Sequence, residues 1–167
     1  MHDELTRGDI EKMKEELEHR RLVLRPQLIE EVKVARSFGD LSENFEYKAA
    51  KREKNRNDSR IRYLENMIKT ARVIEGTAAG EGIGLFDKVT FWIEEDQEEE
   101  TIQLVTTLRQ DALKGLISKE SPVGKALWGH KAGDRVLIEA SPTYSYYVQI
   151  RSVEHAGEDR DLPINPF

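Results

Sequence analysis

Three carboxylates, Asp40, Glu43 and Glu46, fall within seven residues of one another, with Asn44 and Tyr47 interleaved. Two chemistries fit that spacing. Asp40-Leu41-Ser42-Glu43 has the form of a capping box, in which the two end side chains satisfy each other's free amides at a helix start. The same carboxylates, presented together at a turn, could instead share a hard divalent cation such as Mg²⁺, which prefers oxygen ligands. Two side chains do not complete its coordination shell, so a metal role requires a partner that brings the other ligands. Immediately downstream, Lys48, Lys51, Arg52, Lys54, Arg56, Arg60 and Arg62 stand against only Glu53 and Asp58, a net +5 across fifteen residues. Such a run is either a solvated helix face or a track for a single-stranded phosphate backbone leading toward the acidic cluster.

The rest of the composition narrows the choice. There are no cysteines, which removes disulfide scaffolds, thiol nucleophiles and cysteine-ligated metals. His2, His19, His130 and His155 are far apart and lack the i, i+4 spacing of a zinc pair. With 26 basic and 32 acidic side chains in 167 residues, the net charge of −6 argues against a general nucleic-acid coat. The glycine-rich residues 76–84 are not followed by Gly-Lys-Ser/Thr, so they read as a linker and not as a phosphate loop. No apolar run approaches the roughly 20 residues that cross a bilayer. Met1-His2-Asp3-Glu4 also lacks the layout of a signal peptide, and the expectation is a cytoplasmic protein with no membrane attachment.

Charge also divides the chain. Residues 1–75 hold 17 basic and 16 acidic side chains, the remainder 9 and 16, so two modules of different character are expected. In the first, Ile10, Met13, Leu17, Leu24, Leu28, Val32 and Ala35 recur at spacings that put them on one helix face. Tyr47, Ala50, Ile61, Leu64, Ile68 and Ala71 continue the grid, with polar Lys54 and Asn57 interrupting it. Two long helices joined by residues 38–43 make an antiparallel hairpin, a rod on the order of 45–50 Å long with the acidic cluster at its tip. Asp40 or Ser42 is the expected cap of the second helix. Pro26 predicts a bend near Arg25, and the seam should be weakest at Lys54 and Asn57.

Past the linker the period becomes 2: Val89, Phe91 and Ile93, then Ile102 and Leu104, then Val136 and Ile138, then an aromatic and β-branched run over residues 144–153. The acidic residues 94–100 read as a solvated turn and Ser141-Pro142-Thr143 as a hairpin turn. Residues 121–129 carry a capping serine, a proline at the first helical position and a terminating glycine, and so predict one short helix. The expected fold is α+β: a helical hairpin over 1–75, a linker over 76–84 and an antiparallel-sheet domain over 85–167 ending in a frayed tail from Asp159.

Residues 35–50, Ala-Arg-Ser-Phe-Gly-Asp-Leu-Ser-Glu-Asn-Phe-Glu-Tyr-Lys-Ala-Ala, closely resemble the tip signature of the GreA/GreB (Gre) family of bacterial transcript cleavage factors. That signature runs Gly-Asp-Leu-x-Glu-Asn-x-Glu-Tyr-x-x-Ala. The likeness extends to Leu5-Thr6-x-Gly8, Arg25-Pro26, Arg60-Ile61, Ala71-x-Val73-Ile74, Ser121-Pro122-Val123-Gly124-x-Ala126-Leu127-x-Gly129 and Gly133-Asp134, and so covers nearly the whole chain.

The resemblance implies a coiled-coil hairpin followed by an FKBP-like domain. It implies a monomeric transcription elongation factor that inserts its hairpin into the secondary channel of bacterial RNA polymerase. There it stimulates the polymerase's own hydrolysis of backtracked RNA without being a nuclease itself. Asp40 and Glu43 become the tip acids, holding Mg²⁺ only in common with the polymerase active site, with Asn44, Glu46 and Tyr47 as tip support. Lys48, Lys51, Arg52, Arg56 and Arg60 would contact the 3′ part of the extruded RNA. Ser121, Pro122 and Gly124 would dock on the β′ rim of the channel.

Each assignment has a plainer alternative: Tyr47 as a seam residue, the basic run as a solvated face, Ser121 and Pro122 as a helix start. Phe38 and Phe45 put aromatic rings where many relatives carry smaller or polar residues. A channel-binding regulator without cleavage activity is the competing reading, though such relatives usually alter the tip acids and both are kept here. A peptidyl-prolyl isomerase or peptide-binding module would need an apolar, aromatic-lined pocket in the second domain.

Overall fold

A computed structural model describes residues 3–39, 44–74, 82–158 and 162–165. They fall into two compact units, one of residues 10–71 and one of residues 3–9 with 72–166.

In the first unit, one arm runs through α1 (Arg7–His19), a π-helical turn (Arg20–Leu24) and α2 (Arg25–Arg36), and the other is α3 (Phe45–Thr70). The π turn is the answer to Pro26. Proline has no N–H to give the carbonyl four residues back, and its ring crowds that carbonyl. Just ahead of it the Arg25 N–H bonds the Arg20 carbonyl, five residues back, the wider winding of a π-helix. The disturbance expected near Arg25 is therefore absorbed as one loose turn, and the arm stays helical through the proline.

Between the arms, Met13, Leu17, Leu28 and Ala35 are buried on one side and Ile61, Leu64 and Met67 on the other. Met67 takes the buried place that the periodicity assigned to Ile68, which is half-buried. A polar layer crosses this seam. The Asn57 amide oxygen accepts from Arg20 Nη1 at 2.8 Å, and its amide nitrogen donates to the Arg20 carbonyl at 3.3 Å. Buried Arg60 grips Glu16 through two bonds of 2.7 and 3.2 Å, and Arg20 Nε adds a third to Glu16 at 2.7 Å. Such a layer is satisfied in one register only, which sets the alignment of the arms at some cost in stability.

Burial alone would raise the Glu16 pKa, but the bonds from Arg60 and Arg20 outweigh it and hold the carboxyl below its ordinary 4.5. A carboxyl with a lowered folded pKa stabilises the fold at neutral pH and loses that contribution as pH falls below the unfolded value and through the folded one. Glu16→Gln should therefore lower the helical melting midpoint at pH 7, and the gap from wild type should narrow by pH 3. Circular dichroism melts at both pH values check this, and a gap independent of pH would remove Glu16 from the account.

The second unit is built on a five-stranded sheet in the order β5-β4-β3-β7-β6. Its strands are β3 (Lys88–Ile93), β4 (Glu98–Val105), β5 (Leu116–Ser118), β6 (Arg135–Ser141) and β7 (Tyr144–Glu154). The expected antiparallel pairing holds for three of the four neighbours, and the short edge strand β5 runs parallel to β4. On one face Val89, Phe91, Ile102, Leu104, Val136, Ile138, Val148 and Ile150 form the core, closed by Ile83 and by Leu127 of α4 (Pro122–Leu127). The acidic run is only half a turn: residues 94–97 reverse the chain, while Glu98 and Glu100 lie in β4 opposite Ile93 and Phe91.

Two further segments depart from expectation. β1 (Glu4–Leu5) pairs in parallel with β2 (Arg72–Val73), through Arg72 N–H to the Asp3 carbonyl at 2.9 Å and Ile74 N–H to the Leu5 carbonyl at 2.8 Å. Residues 3–9, assigned from sequence to the hairpin, thus belong with the sheet unit. Behind them is a buried polar network. The Asp9 carboxylate accepts from the Thr6 amide at 3.1 Å, the Thr106 hydroxyl at 2.7 Å and Arg109 Nε. Thr6 and Arg109 both reach Glu158, at 2.6 and 3.4 Å. The terminal residues 162–165 are not frayed either: Asn165 donates to the Leu108 carbonyl at 2.7 Å, and Leu162 packs beside Leu85 and Phe86.

Candidate functional site: the hairpin tip and its basic flank

Asp40 and Glu43, with Leu41 and Ser42, lie outside the described residues. α3 begins at Phe45, and its cap is Asn44, whose side-chain oxygen accepts the Tyr47 N–H at 2.9 Å. The capping duty offered to Asp40 or Ser42 is taken by another residue. The Asn44 amide nitrogen also donates to the Ala35 carbonyl at 2.6 Å, so one side chain starts α3 and ties it to the end of α2.

Tyr47 completes this bridge. It is half-buried, its hydroxyl is 3.5 Å from Arg36 Nη2, and its ring has the Arg36 and Lys51 cations at 5.4 and 6.0 Å from its centroid. The hydrogen bond from Arg36 holds the phenol below its ordinary pKa of 10. Tyr47 thus links α3 to the last turn of α2. Glu46 is exposed and lines a cavity of about 680 Å³ with Gln27, Glu30, Glu31, Val34 and Phe38.

Along α3 the basic run divides. Lys48, Lys51, Arg52 and Arg56 are exposed; Arg56 pairs loosely with Glu53 at 3.4 Å, and Arg52 has no ion-pair partner among the described residues. Lys54 is drawn inward to Asp58 at 3.1 Å, an oxygen pair that Arg25 shares at 3.0 Å. Arg60 must be removed from the set expected to touch RNA: it is only 2% exposed and committed to Glu16. Its helical position, three after Asn57 and four before Leu64, carried that signal. A run of charge does not distinguish the faces of a helix, whereas the period does.

In the sheet unit, Ser121 caps α4 by accepting the Gly124 N–H at 3.0 Å, with Pro122 in the first turn. A side chain on Gly124 would place its Cβ 2.2 Å from the Ser118 carbonyl oxygen, so only glycine fits. These residues build the helix start; exposed Pro122 also lines a cavity of about 410 Å³ with Glu120, Lys125, Ala126, Leu137 and Glu139. That cavity has no aromatic wall and two carboxylates, which does not suit a proline-isomerase pocket. Among the described residues no cluster of three or more histidine or acidic side chains forms a metal site, and no helix is long and apolar enough to cross a membrane.

A helical hairpin with a cationic flank, followed by a mixed α+β unit, is a two-part architecture, and comparison with known proteins matches it in two parts. The family described as "Transcription elongation factor, N-terminal" matches residues 4–73, and "Transcription elongation factor, GreA/GreB, C-term" matches residues 80–155. Transcription elongation factor GreA of Streptococcus gordonii is 41% identical over 151 residues, spanning 90% of this chain and 94% of that one. GreA of Staphylococcus saprophyticus is 43% identical over 134 residues, 80% of this chain and 85% of its own. Among solved structures, the GreA factor homolog 1 (Gfh1) protein of Thermus thermophilus is 27% identical, covering 93% of this chain and 100% of that one, with a TM-score of 0.43. The chain belongs to the GreA/GreB family of transcription elongation factors.

Proposed function

We propose that this factor acts as a monomer on bacterial RNA polymerase, entering the secondary channel tip first and stimulating the polymerase's own hydrolysis of backtracked RNA. It is then an activator of another enzyme's site and not a nuclease. The observation that carries this reading is the tip: both acids of the signature are present, and Asn44, not Asp40, caps α3. A helix cap therefore does not account for Asp40 and Glu43. Their donor chemistry fits a hard cation: two carboxylates, short of a full shell, suit an Mg²⁺ whose other ligands come from the polymerase and the RNA. Held there, the ion would supply charge stabilisation for the attacking and leaving oxygens of the displacement.

The exposed cations Lys48, Lys51, Arg52 and Arg56 would hold the extruded RNA on the way to the tip. Charge reversal at Arg52 and Arg56 should weaken stimulated cleavage and flatten its dependence on salt, since fewer phosphate contacts mean fewer counterions released. Cleavage rates between 50 and 200 mM KCl measure this; an unchanged slope would return the run to a solvated face. Docking on the β′ rim would use exposed Pro122, with Ser121 and Gly124 shaping the helix start that presents it.

The test of the reading is release of 3′-labelled fragments from a stalled, backtracked bacterial polymerase with Mg²⁺, with and without the factor. Rapid release of short fragments only with the factor is expected. Tight binding with no release would make the protein a channel-blocking regulator.

A further inference from the structure

One of the positions that the signature leaves open is filled here by Phe45, which is 79% exposed. Among the described residues, nothing in the tip's own construction uses the ring. Asn44 makes the cap and the bond to α2, and Tyr47 makes the bridge to Arg36. Phe45 instead has a cation beside it: Lys48, one turn on, holds its ammonium 5.8 Å from the ring centroid, and Lys51 and Arg52 are exposed further along the flank. Phe38, the other phenylalanine of the tip, is 66% exposed but lines the cavity that Glu30, Glu31 and Glu46 also line. Phe38 thus shares its cavity with three carboxylates, whereas the charge described nearest the Phe45 ring is the Lys48 ammonium.

We infer that Phe45 is a stacking platform for one unpaired base of single-stranded RNA, with Lys48 and Lys51 meeting the adjoining phosphates. A phenyl ring beside ammonium groups is the pairing that binds single strands without reading sequence, because every base has a π-face and every nucleotide a phosphate. The inference rests on the channel-entering function proposed above and deepens it: Phe45 would hold the extruded strand in position while the acids act.

The test places 2-aminopurine in turn at each extruded nucleotide of a backtracked polymerase complex and adds wild type, Phe45→Leu or Phe45→Tyr. At one position wild type and Phe45→Tyr should quench the base, and Phe45→Leu should not. Cleavage by Phe45→Leu should be slower than wild type by about tenfold, and an abasic nucleotide at that position should bring both to the same rate. Because the ring is outside the core, none of these variants disturbs folding. Equal quenching by all three proteins, or a Leu variant that cleaves intact RNA as fast as wild type, overturns the platform while leaving the cleavage function standing. Quenching that depends on Phe45 in a complex that releases no fragment upholds the platform and overturns the cleavage function instead.

Discussion

Asp40→Asn and Glu43→Gln are each expected to lower stimulated cleavage by at least about a hundredfold, with polymerase binding nearly unchanged. Metal-held charge in a transition state is worth several kcal/mol, and each 1.36 kcal/mol is a factor of ten in rate. Amide replacements keep size and hydrogen bonding while removing the charge that would hold the cation. Neither residue is the cap of α3, so neither change should weaken the helix start, where Asn44 is bonded to both Tyr47 and Ala35. The experiment reads fragment release at saturating factor alongside the factor concentration giving half-maximal effect. A variant that retains wild-type release would sink the metal-holding assignment. One that loses release only because the half-maximal concentration rises would turn the acids into docking groups.

Arg109→Met should have the largest effect on stability. Asp9 and Arg109 are fully buried, and the guanidinium is the only countercharge to Asp9 among the contacts described. Removing one partner of a buried pair leaves an uncompensated charge, typically at about 3–5 kcal/mol. For a unit of this size that corresponds to more than about 10 °C in the thermal midpoint. Adding Asp9→Asn to Arg109→Met removes the stranded charge while keeping an acceptor for Thr6 and Thr106, so the double variant should melt well above the single one. Thermal unfolding of the three proteins tests it, and a single variant within about 2 °C of wild type would show that the pair contributes little.

What the sequence made legible follows from period and local chemistry. The hairpin was readable because apolar residues recur along both arms, and α4 because serine, proline and glycine mark its start and end. The tip signature was readable as a continuous run of residues. Features without local pattern were not. Asp9 and Arg109 are 100 residues apart, and strands of two residues such as β1 and β2 are too short to show alternation. Among Asp40, Ser42 and Asn44, all good caps, propensity does not choose; the choice is made by the reach of Asn44 to the Ala35 carbonyl. The π turn was missed because the winding that accommodates Pro26 lies in the residues before it, which have ordinary helical composition. Phe86 is a further case: it adopts φ +69, unusual for a bulky side chain. It is held there by its amide's 2.7 Å bond to the Leu104 carbonyl and by complete burial of its ring, neither of which a single position reveals.

The pairing of β1 with β2 makes the hairpin an insertion whose entry and exit are adjacent strands of the host unit. An insert anchored this way can be lengthened or shortened without moving its anchorage. Seven residues added to each arm would extend the rod by about 10 Å, and as a whole repeat of the apolar seam they would leave the packing face unrotated. The reach of the hairpin is thus a heritable length, adjustable in steps by duplication or deletion within the arms, while the strand pair that anchors it stays as it is.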